Sequence, residues 1–348
     1  MRLYINIDSI VKNAEKLRKR MLDSHIELVP VTKGVLSSEP IIQGLKKIGF
    51  TLFGESRIEN LLNLAQNTDF MFLRPPVNHE IEKVVRHTKY SIQSSIITMK
   101  QMQRTIIKNH SEHKMILMID MGDLRDGVYY KNKEVIDEIL NGIEKDLLVG
   151  VATNLGCFGG VIPNYEIMRK FSEVSEYIKS KNDNVKIISG GNTTTIPLVE
   201  NNEIGNTINQ FRIGEAILLG TDITRNKKID YLDQNTMFLE AELIEVYKKR
   251  NEDNVEFGYD AFGRKKEKPD NKIKKRGVVY MGEIDVIPEL IEAIDEDVKI
   301  IGSSSDQTVL DLTNSHNNYK IGDTLRFKLS YGSMVKAMAS PFVEKIYI

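Results

Sequence analysis

The chain has 348 residues, enough for one large and one smaller domain with separate cores. Its 48 lysines and arginines against 49 aspartates and glutamates leave a formal charge of -1, which encodes no global attraction to nucleic acid or an anionic membrane, so a small molecule is the expected partner. The single cysteine, Cys157, excludes an internal disulfide framework and a cysteine-rich zinc site; with no leader-like start and no apolar stretch of membrane-spanning length, a cytoplasmic protein is expected.

In chain order, a helix over "SIVKNAEKLRKRM" precedes eight short β-rich runs: "ELVPVTK", "TLFGES", "DFMFLRP", "KYSIQS", "KMILMIDMG", "LLVGVATNLG", "VKIISGGN" and "QFRIGEAILLG". Between them lie amphipathic segments with apolar residues three and four apart, among them "SSEPIIQGLKKIG", "RIENLLNLAQ", "HEIEKVVRHT" and "NYEIMRKFSEVSEYIKSK". Strand and helix alternate at the spacing of βα units. An open doubly wound sheet gives a similar pattern, but eight uninterrupted repeats and a closing strand ending in "LLG" favour a (β/α)8 TIM barrel. After about Thr224 the runs "MFLEAELIEVY", "RGVVYMG", "VKIIGSSS", "TVLDLT", "DTLRFKLSYG" and "VEKIYI" read as strands with few helices. The expected class is therefore α/β: a barrel over residues 8–223, then a smaller C-terminal all-β domain of 224–348 into which residues 1–7 pair. The stretch "KKRNEDNVEFGYDAFGRKKEKPDNKIKKRG" carries charge of both signs and reads as a solvated loop.

Active sites of such barrels collect at the carboxyl ends of the strands. Lys33 ends the first run, "DMGDLRDG" the fifth, "TNLGCFGG" the sixth and "SGGNTTT" the seventh, with Arg212 inside the eighth. Desolvation at a strand end lowers an amine's pKa toward that of a usable nucleophile, so Lys33 is a candidate for imine formation with an aldehyde. In "SGGNTTT", Gly190, Gly191, Asn192 and Thr193 can turn amides and hydroxyls toward a phosphate. An aldehyde that carries a phosphate points to pyridoxal phosphate.

Taken in order, "VPVTKG", "FGESRIENL", "DMGDLRDG", "NLGCFGGVIP", "ISGGNTTTI", "RIGEAILLG", "YDAFG", "SSSDQTVLDL" and "YGSMVKAMAS" cover almost the whole chain. Together they resemble the fold-type III pyridoxal-phosphate group of alanine racemase-like proteins, and within it ornithine racemase and its relatives. The resemblance implies that Lys33 holds the cofactor and serves as one acid/base. It sets Arg212 against the pyridine nitrogen, where decarboxylases of this fold carry a carboxylate, with Gly214 beside it. Arginine keeps its proton near neutral pH, so the ring nitrogen stays unprotonated; the alternative partner for Arg212 is Glu215. Arg125 would fix the substrate carboxylate, Asp306 the distal ammonium of a basic amino acid, and Tyr331 would contact the cofactor.

Racemisation needs a second proton carrier on the opposite face. The resemblance offers Tyr259, in "EFGYDAFG", supplied across a homodimer interface. Cys157 is the rival, since a thiol at a barrel mouth can exchange protons near neutral pH; its other reading is a small buried hydrophobe. Two positions depart from the alanine racemase pattern: Ser37 replaces a tyrosine and Asn154 a histidine, which loosens the phosphate and ring contacts and moves the substrate away from alanine. The expected function is a racemase of a basic amino acid, ornithine first. The alternatives are a decarboxylase of the same fold and a non-enzymatic pyridoxal-phosphate-binding protein. His110 and His113 read as a solvated pair at a helix end, and no metal is expected.

Overall fold

The computed structural model describes all residues except 63, 65–67, 251–254 and 266–271. The chain divides into two compact units, residues 7–234 and residues 1–6 with 235–348.

Eight parallel strands build the larger unit: β1 Glu27–Pro30, β2 Leu52–Glu55, β3 Asp69–Phe72, β4 Tyr90–Gln93, β5 Lys114–Asp120, β6 Leu148–Ala152, β7 Ile187–Gly191 and β8 Gln210–Ile213. They pair in the order β1, β8, β7, β6, β5, β4, β3, β2. Past the strand ends, a parallel bridge between Val31 and Gly54 brings the edges β1 and β2 together, with Thr32 N donating to Gly54 O at 2.9 Å. The sheet is a nearly closed barrel. A cluster of Met71, Ile92, Ile116, Met118 and Ala152, one or two from each of β3 to β6, forms part of its core.

Helices follow seven of the strands. The exception follows β2, where the described residues of "RIENLLNLAQ" hold only a 3-10 turn, Ile58–Asn60, and residues 63, 65 and 66 lie outside the description. The leading helix Ile7–Asp23 buries Ile10, Ala14, Leu17 and Met21, spaced three and four apart as an amphipathic helix requires. The "LLG" expected to close the barrel is no strand. Glu215–Leu219 is a short helix ending on Gly220 at φ 67, and Ala216 to Leu219 are all buried; a run that is apolar on every side fits a buried helix as well as a strand. Residues 224–234, expected in the second domain, are held to the first unit: Asn13 exchanges two hydrogen bonds of 2.8 Å with the Asp233 backbone, and the Arg20 guanidinium lies 3.8 Å from the centre of the Tyr231 ring.

In the smaller unit, antiparallel strands run in the order Ile291–Ala293, Thr324–Leu329, Met237–Lys249, Lys274–Val279, Thr308–Asp311 and Lys299–Ser303. The strand Arg2–Ile5 pairs antiparallel with the start of Met237–Lys249 and parallel with Glu344–Tyr347. Thr324–Leu329 shows why a sheet forms: Leu325, Phe327 and Leu329 are buried while Thr324, Arg326 and Lys328 face out. One nine-residue helix, Tyr331–Ala339, belongs to this unit.

His113 is not solvated. It is 1% exposed, with Nδ1 donating to Thr88 O at 2.7 Å and Nε2 accepting from Ser91 Oγ at 2.7 Å. Burial pushes its pKa down to about 4, against the pull of the Thr88 bond. An unfolded histidine protonates near ~6.5, so as pH falls the unfolded chain takes up this proton first. The stabilisation is complete above about pH 6.5 and is lost as pH falls toward 4. That window is worth roughly 3 kcal/mol, and the urea midpoint is expected to drop across it. His113→Gln cannot take up the proton and should flatten the decline; an unchanged slope would show that another group sets it.

Candidate active site

At the carboxyl ends of the barrel strands, Lys33 opens a one-turn 3-10 helix, Lys33–Val35, directly after β1. Burial holds its amine below the ordinary lysine pKa; Arg125 and Arg212 push the same way, while Cys157 and Glu55 oppose them. An amine so placed is a better nucleophile than one in water.

Ser37 lies close by but faces elsewhere. Its hydroxyl is 1% exposed and donates to Glu55 Oε2 at 2.6 Å, so its proton is committed within the protein and it is not a free donor to a cofactor. Glu55 ends β2 with 0% exposure. Its carboxylate also accepts from Ser56 N at 2.6 Å, Arg57 N at 3.0 Å and Asn60 Nδ2 at 3.2 Å. Its one signal in the sequence is an acidic residue at a strand end, in "FGES".

Arg212 is 6% exposed and bridges the ends of β6 and β7, with Nη1 donating to Ser189 O at 2.9 Å and to Ser189 Oγ, and Nη2 donating to Thr153 O at 2.6 Å. Burial pulls its pKa down to about 10, with Arg125 adding to the effect, which still leaves a cation at neutral pH. Glu215 is not its partner: that carboxylate accepts from Thr221 Oγ1 at 2.7 Å and Ile223 N at 2.8 Å, and burial raises its pKa to about 7.

Cys157 is not a small buried hydrophobe. The carboxylate of Asp123, itself buried, accepts three successive backbone N–H groups, from Cys157 at 3.2 Å, Phe158 at 3.1 Å and Gly159 at 3.1 Å. A Cβ on Gly159 would lie 2.7 Å from Asp123 O, so only glycine fits the wrap. The loop leaves the cysteine exposed, its sulfur 2.8 Å from Arg125 Nη1, while Arg125 Nε donates to Asp126 at 2.9 Å.

Gly190 and Gly191 lie in the strand rather than in the turn that follows it. They are the last residues of β7, where a Cβ on Gly191 would lie 2.4 Å from the Phe211 ring and one on Gly190 2.9 Å from Ile208. Packing explains both. The turn itself begins at Asn192, which caps Thr193–Thr195, accepts from Thr194 N at 3.0 Å and donates to Asn154 Oδ1 at 3.1 Å. Thr193 Oγ1 accepts from Ala216 N at 3.2 Å and keeps its own proton to donate. Gly214 lets β8 approach β1, since a Cβ there would sit 3.1 Å from Val31 O.

Lys33, Ser37, Arg125, Asn154, Cys157, Asn192, Thr193, Arg212 and Gly214 thus share the first unit, while Tyr259, Asp306 and Tyr331 belong to the second. Tyr259 is 72% exposed on a loop bridged to Lys265. Asp306 is exposed at the tip of a hairpin and accepts from Ser304 and Ser305 of that same tip, at 3.3 and 3.2 Å. The two loops are joined through Arg264, which pairs with Asp260 at 2.9 Å and Glu283 at 2.7 Å, and Ser303, which donates to Glu283 at 2.9 Å. Tyr331 is the first residue of the helix Tyr331–Ala339. Among the described residues no cluster of histidine, cysteine, aspartate or glutamate could hold a metal ion, and no helix is long and apolar enough to cross a membrane.

A barrel with a desolvated lysine after its first strand, followed by a β-sheet unit, defines a recognisable class. The family model for the alanine racemase N-terminal domain matches residues 5–222. The chain is 40% identical over 350 residues to a Thermotoga maritima protein named lysine racemase, with 99% of this chain and 98% of that protein covered. It is 30% identical over 348 residues to the ornithine racemase of Acetoanaerobium sticklandii, again with 99% and 98% covered. Among solved structures, alanine racemase from Streptomyces coelicolor A3(2) is similar with a TM-score of 0.77 at 16% identity, covering 100% of this chain and 97% of that one. Alanine racemase from Bartonella henselae, described with covalently bound pyridoxal phosphate, gives 0.74 at 16% identity, covering 100% and 99%. The chain belongs to the alanine racemase family.

Proposed function

We propose that the protein is a pyridoxal-phosphate-dependent racemase of basic amino acids, which inverts Cα with Lys33 and Cys157 as its two proton carriers. The observation that carries this reading is Lys33, a partly buried amine held below the ordinary lysine pKa by desolvation, after the first strand of a racemase-family barrel. The donor set fits the cofactor. Thr153 Oγ1 is fully buried beside Arg212 with no hydrogen-bond partner, the Thr193 hydroxyl has a proton to give, and Asn192 adds an amide. When bound, pyridoxal phosphate supplies an aldehyde for an amino group and a conjugated ring that stabilises negative charge at Cα.

The residues of this chain do the rest. Lys33 anchors the cofactor and holds or returns a proton at one face of Cα, and Cys157 does so at the other. Arg125 takes the substrate carboxylate through its two-pronged guanidinium. Arg212 would meet the ring nitrogen as a cation that does not give up its proton at neutral pH, which disfavours the decarboxylase reading. Asp306 receives the distal ammonium and Tyr331 contacts the cofactor. The proposal includes a homodimer working in the cytoplasm.

The sequence pattern puts ornithine first; 40% identity to a lysine racemase against 30% to an ornithine racemase gives lysine the greater support. Both are proposed as substrates, lysine ahead. The test incubates the protein with L-lysine, L-ornithine, L-arginine, L-alanine or L-serine in deuterium oxide and follows optical rotation and Cα deuteration. Rotation should decay fastest for lysine and ornithine. Release of carbon dioxide, or fastest turnover of alanine, would overturn the reading.

A further inference from the structure

The turn that presents Lys33 is held in an unfavourable backbone conformation. Leu36 and Ser37, two successive residues with side chains, sit in the left-handed region at φ 54 and φ 49. Such backbone is unfavourable for a residue with a side chain, so the surroundings must hold both residues there. Backbone bonds close the turn from within: Val35 N and Ser37 N both donate to Thr32 O at 3.0 Å. One side chain beyond the turn fixes it from β2. Ser37 Oγ donates to Glu55 Oε2 at 2.6 Å and lies 3.0 Å from Thr32 Oγ1, so the residues flanking Lys33 on both sides meet at one carboxylate oxygen or its direct partner.

Glu55 is itself immobilised by Ser56 N, Arg57 N and Asn60 Nδ2, so the anchor does not depend on the turn it anchors. A fully buried carboxylate with four donors is costly to assemble and breaks badly when one partner is lost. Packing at this end of the barrel does not call for a carboxylate, since the two strands beside β2 end in Pro30 and Phe72. Its reach to the amine gives it a second use.

We propose that Glu55 is a positioning residue for Lys33: through Ser37 it holds the left-handed pair that closes the lysine's turn. This rests on the reading of Lys33 as the cofactor-holding lysine. Four charged groups bear on that amine, and they divide by sign. Arg125 and Arg212 disfavour its protonated form along with burial, whereas Glu55 and Cys157 favour it. Glu55 thereby keeps Lys33 able to hold a proton in a desolvating, cation-rich barrel mouth, as a carrier that must also return protons requires.

The two actions separate in two variants. Glu55→Gln removes the charge, and Ser37→Ala removes the link to the turn while keeping the charge. The readout is the pH dependence of acetic anhydride labelling at Lys33 in the cofactor-free protein, followed by peptide mass spectrometry, which needs neither catalysis nor cofactor. Glu55→Gln should move the labelling midpoint to lower pH. Ser37→Ala should leave the midpoint in place and slow the uptake of added pyridoxal phosphate at every pH, as seen by visible absorbance. A Glu55→Gln midpoint equal to wild type, or uptake by Ser37→Ala at the wild-type rate, would overturn the inference. Failure of the wild-type protein to take up the cofactor at all would instead sink the reading of Lys33, while the labelling midpoints would still decide whether Glu55 acts on its charge.

Discussion

Lys33→Ala is expected to abolish racemisation, by at least about 10³-fold, while leaving the barrel folded. One observation separates function from stability here. The amine is desolvated, so removing it relieves burial of a charge. The loss should therefore fall on chemistry alone, with a thermal midpoint equal to or above that of wild type. The spectroscopic counterpart is direct. Wild-type protein loaded with pyridoxal phosphate should show a visible band that borohydride bleaches and fixes to the Lys33 peptide, and Lys33→Ala should show no such band. A bleachable band that persists in the variant would move the cofactor to another lysine.

Much of this site is written in local sequence, because a parallel barrel converts strand ends into one surface. Lys33, Arg125, Cys157, Asn192 and Arg212 can each be found by asking which polar residue follows an apolar run, and the structure gathers all five on the larger unit. What local sequence does not contain is partnership between strands. Gly190 and Gly191 read as a turn, yet they end β7, where Phe211 and Ile208 fill the space of their missing side chains. Ser37 looks like a free hydroxyl until Glu55, 18 residues on, is found to accept its proton. The four apolar residues of "AILL" suit a buried helix or a closing strand equally, and only the packing around them selects the helix Glu215–Leu219. His113 belongs with these: three residues from His110 it reads as solvent-facing, yet its partners Thr88 and Ser91 come from the neighbouring strand β4 and the turn before it. Where a side chain's partner lies one strand away, periodicity carries no information about it.

Cys157→Ala is expected to lower racemisation by about 10²- to 10⁴-fold while leaving one half of the reaction intact. The structure gives the cysteine what a proton carrier needs, namely a fixed position and an exposed sulfur. Asp123 fixes the backbone of Cys157, Phe158 and Gly159, and Arg125 reaches the sulfur at 2.8 Å. In the proposed two-carrier reading, Cys157 would take the Cα proton in one direction, forming S–H, while the Lys33 ammonium would give its proton to the opposite face. Turnover leaves sulfur protonated and amine neutral, the state set for the reverse direction, so protons balance over a cycle. Without the sulfur, Lys33 can still remove and return a proton on its own face. In deuterium oxide, Cys157→Ala should then put deuterium into one enantiomer with retention and produce almost none of the other, whereas wild type inverts as it exchanges. With the sulfur as the second carrier, Tyr259→Phe should racemise at close to the wild-type rate. The opposite outcome, retention-only exchange in Tyr259→Phe with normal inversion in Cys157→Ala, would transfer the second proton to the tyrosine.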